Sequence, residues 1–161
     1  MRKTRAFTFV MILLMIFSTN AIKAQEFKAD DIVGKWYTEE NKSIIQIYKK
    51  GNKYYGKIIG IRDKTYTEKD DKEYGKKKHD HENPDPKLRS RPIVGIVIIQ
   101  GFEFDGDDEW VDADIYDPES GKTYSCKAWL NDKKNILNVK GYIGFSFIGR
   151  STTWKRKVSK K

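Results

Sequence analysis

The only two histidines of the chain stand one residue apart in His79-Asp80-His81-Glu82, with Asp85 close behind. Imidazole nitrogens and carboxylate oxygens together suit zinc or another transition metal, so His79 and His81 are the candidate metal ligands. Their spacing is not one of the strong zinc spacings, and Lys76, Lys77 and Lys78 precede them. A solvated charged loop accounts for the same residues. Nucleophilic chemistry leaves no signal of this kind: the chain has no nucleophile elbow, no glycine-rich phosphate loop and no Cys-His pairing at a known spacing. Asp107 with Asp108 and Asp112 with Asp114 are carboxylate pairs that surface alternation explains, and the lone Cys126 falls on an apolar face as a buried thiol. No catalytic residue and no cofactor is implied.

A second set of residues suits binding. Tyr54, Tyr124 and Tyr142 offer an apolar body with a polar tip. Arg150 and Arg156 can match a carboxylate in a bidentate way. Gly56, Gly60, Gly95, Gly144 and Gly149 interrupt the same stretches, either as the floor of a cavity or as bulges and bends.

What must position these groups is β structure. From Gly34 onward short apolar runs alternate with turn residues, and almost no stretch has a helical period. Ser43–Lys49 and Lys53–Ile61 flank a turn at Lys50-Gly51-Asn52, and Ile93–Ile99 begins a strand that Gly101–Phe104 continues. Trp110–Tyr116 leads through Asp117-Pro118-Glu119-Ser120-Gly121 into Lys122–Leu130, and Ile136–Lys140, Tyr142–Ile148 and Ser151–Lys157 follow. Alternation puts Val111, Ala113 and Ile115 on one face, and Tyr124, Cys126, Ala128 and Leu130 on the dry face of the next strand. Eight to ten sequential strands fit an all-β, antiparallel up-and-down barrel or a sandwich. The barrel is favoured because closure removes the sheet edges. Such a barrel is either filled by side chains or holds one small ligand. Arg62–Pro92 breaks the pattern: it is charged, holds three of the four prolines and has no periodicity, so it reads as a long functional or mobile loop.

The N-terminus carries Arg2, Lys3 and Arg5, an apolar run from Ala6 to Phe17, and a polar tail ending in small residues. That order is an export signal. The run is shorter than the roughly 20 residues a spanning helix needs. The expected domains are a signal peptide over 1–24, cut after Ala24 or after Ala21, and one domain over 25–161. Cleavage after Ala24 removes Arg2, Lys3, Arg5 and Lys23 and no acid, so the net charge falls from +9 to +5 with 28 basic against 23 acidic residues. Solvated lysines of an exported protein explain this balance, so neither nucleic-acid binding nor an integral membrane state of the cleaved chain is expected. The expected location is periplasmic or extracellular.

A resemblance adds to this. Gly34-Lys35-Trp36-Tyr37, Tyr55-Gly56-Lys57-Ile58, Asn83-Pro84-Asp85-Pro86 with Arg89-Ser90-Arg91-Pro92, Tyr116-Asp117-Pro118 with Gly121-Lys122-Thr123-Tyr124, and Gly149-Arg150 with Trp154-Lys155-Arg156 resemble a family of exported bacterial proteins of unknown function. The family implies a small barrel shaped like the lipocalins and fatty-acid-binding proteins. Gly34-x-Trp36 is similar to the opening motif of lipocalins, in which the tryptophan closes one barrel end under an arginine from near the last strand; Arg150 or Arg156 would supply it. Trp36, Tyr54, Tyr124, Tyr142, Arg150 and Arg156 are therefore the candidate ligand-binding residues. The expected function is binding of a small, at least partly apolar molecule. The alternative is an envelope interaction module with a filled core, acting through the 62–92 loop.

Overall fold

The computed structural model describes residues 26–144 and 149–158, with the side chains of residues 71 and 72 left aside. The expected signal peptide lies outside the described residues. Eight antiparallel strands close into a barrel in sequence order: β1 (Gly34–Tyr37), β2 (Ser43–Lys50), β3 (Lys53–Ile61), β4 (Val97–Phe104), β5 (Glu109–Asp117), β6 (Lys122–Leu130), β7 (Ile136–Tyr142) and β8 (Gly149–Arg156). Closure is made by β1 against β8, with Trp36 opposite Arg156 and Tyr37 opposite Lys155. Every strand thus has two partners, which removes the exposed edges an open sheet would leave. Among the described residues no helix is long and apolar enough to cross a membrane.

The strand count is the lower end of the sequence expectation because Val97–Phe104 is one continuous strand and Tyr142 ends β7 instead of opening a separate strand, and β4 is shorter than expected because Ile93–Ile96 is not strand. Gly95 has φ +110, a conformation unfavourable to other residues, and turns the chain so that Gly95 donates to the Ile58 carbonyl while Ile58 donates to that of Ile96. β4 begins only at Val97. The alternation assigned to β5 also needs correction at one point. A bulge between Trp110 and Ala113, with Asp112 at φ 57, brings Trp110 rather than Val111 to the inside. Beyond the bulge Ala113 and Ile115 face inward opposite Cys126 and Tyr124, as the sequence pattern predicts.

The core fills the barrel from one end. Trp36, Ile45, Ile47, Tyr54, Ile99, Phe102, Trp110, Cys126, Ala128, Leu137 and Val139 are all buried to within 1% of complete. A 3-10 turn at Ala29–Ile32 plugs that end, with Ile32 fully buried.

Candidate functional site

The plugged end is held by side chains that spend their polar atoms on the plug itself. Trp36 Nε1 donates to the Ile32 carbonyl at 3.0 Å and Trp110 Nε1 to that of Ala29 at 2.9 Å. The Arg156 guanidinium stacks on the Trp36 ring, 4.1 Å from its centroid, and donates to the carbonyls of Val33, Asp31 and Lys134. Of the two arginines considered for this place, the fold puts Arg156 there. The Tyr54 hydroxyl donates to Asp30, and Lys49 reaches the same carboxylate. The lysine contact, then the tyrosine hydrogen bond, holds the Asp30 carboxyl below its usual range.

The other end is built differently. Along four neighbouring strands the inward positions change from buried to accessible toward this end. Ala113, Cys126, Val139 and Trp154 are buried. One step toward the rim, Ile115, Tyr124, Gly141 and Thr152 are half-buried, and Arg150 beyond them is exposed. Gly141 pairs with Cys126 on one side and Arg150 on the other, so Arg150 belongs to the inward-facing row. A Cβ on Gly141 would sit 3.6 Å from Ile115 and 3.7 Å from Tyr124, in ordinary contact, so the bare glycine deepens the space between them. The β2–β4 side is packed at this depth: Ile45, Ile58 and Ile99 are buried, and a Cβ on Gly56 would lie 3.0 Å from the Ile99 side chain. The inward row on the β5–β8 side is thus only half-covered at this end, and this region, called the pit below, carries Ile115, one phenol, one guanidinium and the Thr152 hydroxyl, which donates to Glu39. Tyr142 pairs with Gly149 on the opposite, outer row.

The 62–92 segment is neither structureless nor free. Short 3-10 turns at Glu68–Glu73 and Pro86–Leu88 and bridges between Thr65 and Lys77 and between His79 and Pro92 order it as a flap. Its anchor is Asp80, completely buried against the outer wall of the barrel. Asp80 Oδ1 accepts from the Tyr116 hydroxyl at 2.6 Å, and Oδ2 accepts from Asn83 Nδ2 at 2.7 Å and from Arg91 Nε at 2.8 Å. A buried carboxylate is tolerated because its charge is paired and its lone pairs are used. Gly121 in the β5–β6 turn completes the fit, since a Cβ there would overlap the Glu82 carbonyl oxygen.

His79 and His81 lie in this flap around Tyr66, each ring edge-on to the phenol, with 5.8 Å between the two imidazole centroids. Their nitrogens are turned to separate partners. His79 meets the Lys77 carbonyl and Glu73, and His81 meets the Tyr66 hydroxyl and Glu82. Among the described residues no three His, Cys, Asp or Glu side chains gather as a metal site.

Neither the plug nor the Asp80 anchor follows from the periodicity of the sequence. Tyr116 carried a signal for the second: it falls on the outward face of β5 beside Asp114, and a tyrosine there asks for a cover.

A barrel sealed at one end by a tryptophan under an arginine, with accessible inward positions at the other, defines a lipocalin-like protein. The chain belongs to the family of uncharacterized proteins conserved in bacteria, DUF2147, which matches residues 34–156. It is similar to a solved protein from the human pathogen Helicobacter pylori described as belonging to the lipocalin family. The two share 26% identity with a TM-score of 0.65, over 79% of this chain and 83% of that one. Among curated proteins there is no match.

Proposed function

We propose that this protein is an exported carrier of a small amphiphilic acid, which rests its apolar part in the β5–β8 pit and its anionic group against Arg150. The observation that carries this reading is the turn, along each of four neighbouring strands, from buried to accessible inward positions toward this end, with Arg150 the cross-strand partner of Gly141. The half-buried Ile115 side chain and Tyr124 ring suit a hydrocarbon above the packed layer of Ala113, Cys126 and Val139, and the guanidinium suits a carboxylate. The lipocalin description of the Helicobacter pylori relative supports the same class of function. The pit is shallow, so the ligand is short or lies with part of its chain in solvent.

The test is recovery of the protein from its host, followed by extraction and mass spectrometry. A stoichiometric amphiphilic acid that an Arg150→Gln variant fails to retain is expected; an empty protein, or equal loading of the variant, overturns the reading. The intact mass of the same preparation reports export. Loss of Met1–Ala24 or Met1–Ala21 is expected, and a full-length mass contradicts it.

A further inference from the structure

The outer wall of the barrel carries a concavity that the carrier reading does not use. An open groove of about 620 Å³ runs between the outward face of β2–β3 and the base of the flap, where the chain passes from Arg91 to Val97. This is within the roughly 300–1,000 Å³ range of small-molecule sites. One wall is the cross-strand pair Tyr48 and Tyr55, whose rings stack with centroids 5.9 Å apart and planes at 26°. The other contains Arg91, Pro92 and Val94, with Lys50 and Gln100 also lining the groove.

We propose that this groove is a second binding site, for an acidic sugar: a pyranose ring, alone or in an oligosaccharide, that bears an anionic group. Three features point to that chemistry. First, half-buried tyrosine rings offer a flat π surface, negative at its face, against which the slightly positive C–H groups of a pyranose can lie. The bonded tyrosine hydroxyls are those of Tyr54, Tyr66 and Tyr116, so the Tyr48 and Tyr55 hydroxyls have no protein partner among the described residues and can meet sugar hydroxyls.

Second, the charged side chains that line the groove are Lys50 and Arg91, with no carboxylate among them. Third, Arg91 is preorganised. The buried Asp80 carboxylate takes its Nε at 2.8 Å and its Nη2 at 2.7 Å, which fixes the guanidinium plane and leaves Nη1. Holding a binding group in place before the ligand arrives lowers the entropy lost on association. An aliphatic ligand fits less well, because the groove is open to water and its cations and amide would be desolvated without partners.

The test is a titration of the protein with trigalacturonate, followed by calorimetry and by backbone amide shifts, with maltotriose as the neutral control. Saturable binding is expected, with shifts at Tyr55, Gly95 and Gln100 and an affinity that falls as salt is added. The neutral sugar binds roughly tenfold more weakly or worse, and Tyr55→Ala and Lys50→Gln each weaken the acidic sugar by a similar factor. Because the alanine variant removes a half-buried ring, Tyr48→Phe/Tyr55→Phe is the parallel measurement: it keeps both rings and still loses several-fold in affinity. Arg150→Gln leaves this binding unchanged, which separates the groove from the pit. Absence of saturation, equal affinity for the neutral sugar, insensitivity to the tyrosine variants, or a proline-rich peptide shifting the same amides while the sugar does not, overturns the proposal.

Discussion

The guanidinium carbon of Arg156 lies 4.1 Å from the centre of the Trp36 ring, and the same guanidinium donates to the carbonyls of Val33, Asp31 and Lys134. One side chain therefore ties the last strand to the first strand, to the plug and to the β6–β7 turn. The seam between β1 and β8 has only two registered pairs, so this contact bears much of the closure.

Replacing Trp36 with Ala is expected to cost about 3–5 kcal/mol, the range for deleting a fully buried large aromatic. Arg156→Lys is also destabilising, because an ammonium cannot stack flat on the indole while serving three separated carbonyls. Urea unfolding of the two variants measures both effects. A loss under about 1 kcal/mol for Trp36→Ala contradicts the closing role.

This end of the molecule was the most legible in the sequence. Gly34-x-Trp36 at the first strand and Trp154-Lys155-Arg156 at the last are local signals, and they meet because the strands pair in chain order. The dry face of β6 was legible for the same reason, since strict alternation from Tyr124 to Leu130 meets no bulge. Trp110 was not, because a single left-handed residue, Asp112, inverts the pattern on one side of it. The flap was the least legible. Its anchor joins Asp80 to Tyr116, 36 residues apart, by hydrogen bonds that leave no trace in hydrophobic periodicity.

Tyr116→Phe leaves Asp80 Oδ1 buried without its hydrogen-bond donor and is expected to cost about 1–3 kcal/mol in denaturant unfolding. A neutral result would mean that water replaces the phenol and that the flap is loosely seated.

Burial, then the hydrogen bond from Tyr116 to the Asp80 carboxylate and the charge of that carboxylate, push the Tyr116 phenol up to about 12. The folded state thus keeps this proton where the unfolded chain, with its phenol near 10, gives it up. The stability Tyr116 contributes is complete below pH 10 and is lost as pH rises from there toward 12. Comparing the alkaline limb of the stability curve with that of Tyr116→Phe isolates this contribution; identical limbs would contradict it.

Replacing residues 64–87 by a short Gly/Ser connector removes the buried Tyr66, Asp80 and Asn83 and uncovers Tyr116, which Asp80 and Asn83 contact in the intact protein. Closing the shorter connection changes chain entropy only slowly with length, so the expected loss of several kcal/mol comes from the lost packing. Unfolding curves that superimpose on those of the intact protein would show that the flap is not part of the folded wall.

Burial pushes the Cys126 thiol up to about 12, with the Asp114 charge adding to it. A thiol that is both buried and protonated does not react. Alkylation of the native protein at neutral pH is expected to track global unfolding, and fast labelling of the folded state would mean that the packed layer beneath the pit opens.

A carrier of this kind must accept a ligand in the pit beside Arg150. Titration of the labelled protein with decanoate, followed by backbone amide shifts, is the most direct measurement of this. Saturable shifts confined to Ile115, Tyr124, Gly141, Arg150 and Thr152 are expected, lost in Gly141→Leu, whose side chain fills the pit, and weakened roughly tenfold in Arg150→Gln. No saturation, or shifts that persist with Gly141→Leu in place, would contradict it.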